Sequence, residues 1–387
     1  MGQAIQGGYD VPAELRWDAE IAKSLIEWAP YELGGLRPTV DGRRIHVAGV
    51  PADPLAEAPE AILERLVAGL VRGFRDLEEQ SVDSHRSSRA VIERDMFEAL
   101  LAGGDLVPAG LGDFAYRGRF LEAIEHLDAL VRGYALSIGA SEEAYPVLIP
   151  AASLRRAGHL NSFPHHALFV APVRFDAGSI AEVRGVDSVR AAVLAPPESV
   201  LAPTVCYHCF QARIDRSDQR EEIVTALNLC HRHEPALTGH TLERLTTFRM
   251  RELVFFGTPA SVAERLDACF AWFLERLRGW DVGFRATTAN DAFFANSSDS
   301  KRAFQTALQL KREVRLHVPS TDRWIAVGSF NNHRDSLVKA FGIEGVGADA
   351  SLASACVGFG YDRLVYALFC AFGDNLDAWP AELGGRD

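Results

Sequence analysis

The chain has 387 residues, 48% of them hydrophobic, with 52 acidic against 40 basic side chains and a formal net charge of −12. That length buries a substantial core in one large or two ordinary domains, and the acidic balance argues against a surface built to neutralise many phosphates, although a local basic patch can coexist with it. The N-terminus MGQAIQGGYD lacks a basic stretch followed by an apolar one, no run reaches the roughly 18 apolar residues of a membrane span, and six scattered cysteines do not make a secreted disulfide framework, so the chain reads as cytoplasmic with no membrane contact.

From Glu57 to Glu79 the apolar residues Ile62, Leu63, Leu66, Val67, Leu70, Val71, Phe74 and Leu77 recur at helical spacing and predict one amphipathic helix. The polar stretch Gln80 to Arg89 reads as a linker, which makes residues 1–90 an appendage and 91–387 the main domain. Helical periodicity follows in Arg119 to Arg132. Ala167 to Phe175, Glu222 to Cys230 and Leu245 to Phe256 have strand-like composition. Helical segments return at Ala260 to Arg278 and Tyr361 to Phe372. Strands clustered in the middle, with helices between and after them, predict an α+β domain whose sheet is mainly antiparallel and flanked by helices.

Three segments carry residues suited to chemistry. In CHRHE (Cys230 to Glu234) and RLTTFRMRE (Arg244 to Glu252), two strand-like runs flank a loop, and a hairpin there turns Arg232 and Arg244 towards one pocket. Guanidinium groups in such a pocket bind phosphate oxygens in pairs, and Phe248 offers a flat face to a nucleobase; a solvated arginine-rich hairpin fits the same pattern. In SACVGFGYDRLVYALF (Ser354 to Phe369), Gly358 and Gly360 permit close backbone approach and Arg363 falls in the first turn of an apolar helix. This is not the dinucleotide fingerprint, which opens a strand–helix–strand unit. In LAPTVCYHCF (Leu201 to Phe210), Cys206 and Cys209 form a CxxC with no second CxxC to complete a four-cysteine site. A thioredoxin-like dithiol opens a helix, whereas the β-branched and aromatic residues of this segment do not predict one.

Taken in order, RAGHLNSFPHH (Arg156 to His166, with Pro164), CHRHE through FRMRE, and GFGYDRLVYALF resemble motifs 1, 2 and 3 of class II aminoacyl-tRNA synthetases, in particular their zinc-dependent seryl branch, from roughly residue 110 to the end. The resemblance implies a class II synthetase-like catalytic domain. It puts Cys206 where ordinary seryl enzymes carry a carboxylate that holds the substrate ammonium group. A thiolate there suits zinc, with Glu252 and Cys356 as the other two ligands and the substrate amino group as the fourth. Cys209 is the main rival to Cys206, and Cys230 a weaker one.

Longer segments, YRGRFLEAIEHLDALV (Tyr116 to Val131), GHLNSFPHH (Gly158 to His166) and FRMREL (Phe248 to Leu253), are similar to the amino acid:[carrier protein] ligases. That resemblance implies ATP-dependent activation of a small amino acid as its adenylate, transfer to the phosphopantetheine thiol of a carrier protein, and a homodimer. It gives Arg232 and Arg363 the catalytic role of holding phosphates, Glu234 and Phe248 the adenine, Arg244 the terminal phosphate, and Mg2+ the bridging of phosphate oxygens. Two departures stand out. Ala326 lies where synthetases usually present an acidic metal ligand, leaving Asn332 as the candidate substrate or magnesium contact, and His231 replaces the usual phenylalanine before Arg232. The competing readings are a seryl-type tRNA synthetase, which needs a long helical arm or dedicated tRNA-gripping domain, and a silent paralogue that only binds a partner, against which Arg232, Arg363 and the Cys–Glu–Cys set all speak.

Overall fold

The computed structural model describes residues 4–52, 54–55, 57–74, 80–110, 113–184, 186, 188–233, 241–289, 310–346 and 351–385. The chain divides into two compact units, residues 1–79 with 290–308, and residues 80–289 with 309–387.

In the first unit, β1 (Ile5–Asp10), β2 (Thr39–Asp41) and β3 (Arg44–Gly49) form an antiparallel sheet in the order β1-β3-β2, joined by helices Ala19–Glu32 and Pro59–Phe74. The apolar stripe of the second helix, Ile62, Leu63, Leu66, Val67, Leu70 and Val71, is buried with Ile21 and Leu25 of the first helix and Ile45 and Val47 of β3. The amphipathic helix expected there exists, but it belongs to a small α+β unit rather than standing alone.

The second unit is built on an eight-stranded sheet, apart from which β5 (Leu106–Gly110) and β6 (Asp113–Tyr116) pair with each other; the eight strands are β4 (Ser81–His85), β7 (Ser141–Glu142), β11 (Glu222–His231), β12 (Thr247–Gly257), β13 (Phe284–Thr288), β14 (Lys311–Val318), β15 (Arg323–Arg334) and β16 (Ala353–Gly360). Their order is β4-β13-β14-β15-β16-β12-β11-β7, antiparallel throughout except for β11 with β7. Alternation along the strands gives the sheet two unlike faces. Leu253 and Phe255 of β12 and Val357 and Phe359 of β16 point to the face where helices Gly118–Ser137, Pro259–Gly279 and Tyr361–Phe372 bury their apolar stripes in one continuous core. Val254, Phe256 and Cys356 point the other way and pack with Cys206, Cys209 and Phe210 of the short helix Cys206–Gln211. Glu252, two residues from Val254, shares that second face.

Three expectations need correction. The stretch Gln80 to Arg89 is not a linker: it contains β4, which pairs with β13, while Gln80 N donates to Thr288 Oγ1 at 2.8 Å and the Asp281 carboxylate accepts from Ser88. Its polar side chains suit an edge strand with little to bury, and the division falls before Gln80 instead of near residue 90. Within Ala167 to Phe175 only Phe169–Val170 (β9) is a strand, set with β8 (Leu148–Pro150) and β10 (Ser199–Leu201) in a small sheet, because Pro172 lacks a donor and Phe175 is fully exposed. Finally, the CxxC does open a helix, for a reason that lies in a distant strand, described next.

A candidate metal and nucleotide site

Cys206 begins the helix Cys206–Gln211, Glu252 lies within β12 and Cys356 within the neighbouring β16. Their ligand atoms all lie within 4.8 Å of one another, and all three residues are buried. Among the described residues this is the one group of three or more metal-ligating side chains at such spacing.

Glu252 holds the group together. One carboxylate oxygen accepts from the Thr204 hydroxyl and from Val205 N at 2.9 Å, and the other accepts from Cys206 N at 3.1 Å. A helix start leaves backbone N–H groups without intrahelical partners, so this carboxylate, supplied from another strand, lets a β-prone sequence turn helical at Cys206. Burial, then the neighbouring Cys356 sulfur, pushes the Glu252 carboxyl up to about 7. The closeness of the two sulfurs raises Cys206 and lowers Cys356, so negative charge is favoured on Cys356. Asn331 Nδ2, 3.6 Å from the Cys356 sulfur, and the His333 ring support that charge. Two soft sulfurs and one carboxylate oxygen, crowded where each charge raises the cost of the next, fit a zinc ion better than they fit an empty core.

The rival cysteines lie outside this group. Cys209, one turn further along, is buried and its thiol is pushed up by that burial, and Cys230 is buried with Val205 and Ala226. All six cysteines are free.

From Glu252 the same face of β12 runs through Met250 to Phe248. Gly358, opposite Glu252, permits the close packing, since a Cβ there would lie 3.1 Å from Met250 Sδ and 3.4 Å from Ser329 Oγ. At the end of the strip the Arg232 guanidinium lies over the Phe248 ring, 5.1 Å from its centroid, with Nε donating to Pro203 O at 3.0 Å. Arg244 lies near enough for its charge, with that of Arg232, to act on His166, whose ring burial and these cations hold down at about 2. His166 is stacked on Phe163 at 5.5 Å, and its carbonyl accepts from His233 N. Arg363 occupies the first turn of the helix that follows Gly360, and Gly360 pairs with Met250. Glu234 lies outside the described residues.

Asn332 does not join the group. Its Oδ1 accepts from Arg334 N at 2.9 Å, while the adjacent Asn331, opposite Cys356 in the register, is the one that reaches the thiols. Sequence reasoning missed Asn331, Thr204 and His333; the one available signal was the NNH run itself, since alternate residues of a strand share a face. His231 is buried on the other side of its strand with Asp113 nearby, away from the Phe248 face.

No protein-family model matches the chain. Amino acid–[acyl-carrier-protein] ligase 1 of Bradyrhizobium diazoefficiens is 29% identical over 289 residues, covering 70% of this chain and 83% of the relative. Ligase 2 of the same organism is 30% identical over 252 residues, covering 61% and 71%. Among solved structures, the seryl-tRNA synthetase of M. kandleri, in complex with A. aeolicus tRNASec, superposes with a TM-score of 0.69 at 18% identity, covering 98% of this chain and 76% of that one. The mainly antiparallel sheet with helices on one face is thus the class II seryl-tRNA synthetase fold, and the chain belongs to the amino acid–[acyl-carrier-protein] ligase family.

Proposed function

We propose that this enzyme activates a small amino acid with ATP and transfers it to the phosphopantetheine thiol of a carrier protein, with zinc on Cys206, Glu252 and Cys356 supplying a Lewis-acidic seat for the substrate's free amino group. The observation that carries this reading is that Glu252 of the Cys–Glu–Cys group and Phe248 of the Arg232–Phe248 pair lie on one face of β12. An amino acid and a nucleotide seated at the two ends would meet along it.

In the first step a substrate carboxylate oxygen attacks the α-phosphorus and pyrophosphate leaves. Arg232 and Arg363 would neutralise phosphate charge, Arg244 would take the terminal phosphate, Phe248 and Glu234 would receive the adenine, and Mg2+ would supply further positive charge to the phosphates. In the second step the carrier sulfur bonds to the acyl carbon, the bond to AMP breaks, and the thiol proton leaves to solvent. Placing the partners and fixing charges that already point at the phosphates supply most of the rate.

The same reading makes the protein a cytoplasmic homodimer. What supports the dimer is exposed apolar surface, including Leu148, Phe169, Val170, Val173 and Phe175, gathered in one region of the second unit. Light scattering should give twice the chain mass.

Amino-acid-dependent ATP–pyrophosphate exchange tests the core of the proposal. Wild type should exchange and contain about one zinc per chain, Cys356→Ala should lose both, and N-acylated amino acids should fail as substrates. Exchange unchanged in Cys356→Ala, or pure protein without zinc, would sink the metal assignment. Parallel loading of a phosphopantetheinylated carrier and of bulk tRNA decides the acceptor, and a labelled tRNA product would overturn the choice made here.

A further inference from the structure

The pairing of β12 with β16 ends at Met250 opposite Gly360, where the second strand turns into the helix Tyr361–Phe372. The next N–H on that edge belongs to Arg249, and it does not go unpaired: Asp362 Oδ2 accepts it at 2.5 Å. Asp362 therefore makes with a side chain the rung that the backbone no longer supplies. The Tyr116 hydroxyl lies close enough to act on the same carboxylate, whose other oxygen lies 3.6 Å from the Arg249 guanidinium, which covers the Tyr116 ring at 4.7 Å from its centroid. Asp362 is only 1% exposed. Burial raises its carboxyl and Oδ1 makes no hydrogen bond among the described residues, so the bond from Arg249 N and the nearby guanidinium are what offset the cost of placing it there.

Asp362 and Arg249 are the chain neighbours of two residues in the ATP reading, Arg363, given to the phosphates, and Phe248, given to the adenine. We propose that Asp362 is a positioning residue that fixes the distance between Phe248 and Arg363 and so the fit of ATP, an inference that rests on the ATP site proposed above. Asp362 does not touch the nucleotide. Its effect reaches ATP through one peptide unit on each side, whereas the amino acid end of the site, at Cys206 and Cys356, is anchored separately by Glu252.

The test is a KM split in pyrophosphate exchange. Asp362→Ala should raise KM for ATP about tenfold or more, the scale of a lost hydrogen bond to a charged acceptor, with KM for the amino acid changed less than about threefold. Asp362→Asn keeps one acceptor oxygen and should recover part of the ATP affinity. Tyr116→Phe, which removes the hydroxyl beside the carboxylate, should shift KM for ATP in the same direction by less and covers the case in which the alanine variant does not fold. An unchanged KM for ATP in the folded variants, or equal rises in both KM values, would overturn the proposal. No exchange in wild type would overturn the ATP reading itself, and the inference with it.

Discussion

Cys356 illustrates how much of a site's behaviour depends on residues that are not ligands. Asn331 Nδ2 stands 3.6 Å from its sulfur, and the His333 ring lies against it. Neighbours that hold a ligating atom typically change metal affinity 10–100-fold when removed, so Asn331→Ala should weaken zinc binding by about tenfold in a chelator competition while leaving the protein folded; unchanged affinity would mean the amide contributes nothing to the site. The histidine beside the arginines makes a second prediction. Burial first, then Arg232, His165, His159 and Arg244, hold His166 down at about 2, below the roughly 6.5 of an unfolded histidine. Below pH 6.5 the unfolded chain takes up a proton that the folded chain refuses, so stability falls as pH drops through that window. Urea midpoints between pH 7 and pH 4.5 should decline less steeply in His166→Gln, and parallel slopes would refute the assignment. At this scale the sequence reveals candidate ligands better than the residues around them. Cys206, Glu252 and Cys356 stand in motifs with an order, whereas Thr204 and Asn331 matter only because the fold brings them to Glu252 and Cys356.

The segments that build the site are tied together behind it by a buried ionic network. Arg251, fully buried, donates to Asp128 at 2.6 Å and to Glu142 at 3.1 Å, and the Tyr361 hydroxyl donates to Asp128 at 2.9 Å. Strand β12, β7, the helix Gly118–Ser137 and the start of the helix Tyr361–Phe372 thus share one knot. Removing one partner of a buried pair leaves charges stranded, at a cost of about 3–5 kcal/mol; the partners here are partly exposed, so Arg251→Ala should lose about 3 kcal/mol in urea unfolding. A loss below about 1 kcal/mol would show the knot to be ornamental. The helices at 118–137, 259–279 and 361–372 were legible because their apolar residues repeat at 3.6 and face one core. The helix at Cys206 was not, since its cap comes from Glu252, 46 residues away. Nor was β4, whose sequence SVDSH has no apolar alternation because its partner lies on one side only.

For the whole molecule, the fold class was readable from the order of the elements, but the sheet of the first unit was not, because its strands are short and its second helix was the one strong signal. That unit carries fourteen acidic against eight basic residues over positions 1–79. Non-specific nucleic-acid affinity comes from cations that replace counterions on phosphates, so bulk tRNA should show no saturable binding in filter assays at either 50 or 200 mM salt. Tight, salt-sensitive binding would restore the tRNA synthetase reading. The sheet ends in β4 at one side, five residues with three of them polar and exposed or nearly so, and in the two-residue β7 at the other. Such abbreviated, hydrophilic margins offer a passing chain almost no template for adding a strand. A protein finished in this way should tolerate high concentration without fibrillar self-association.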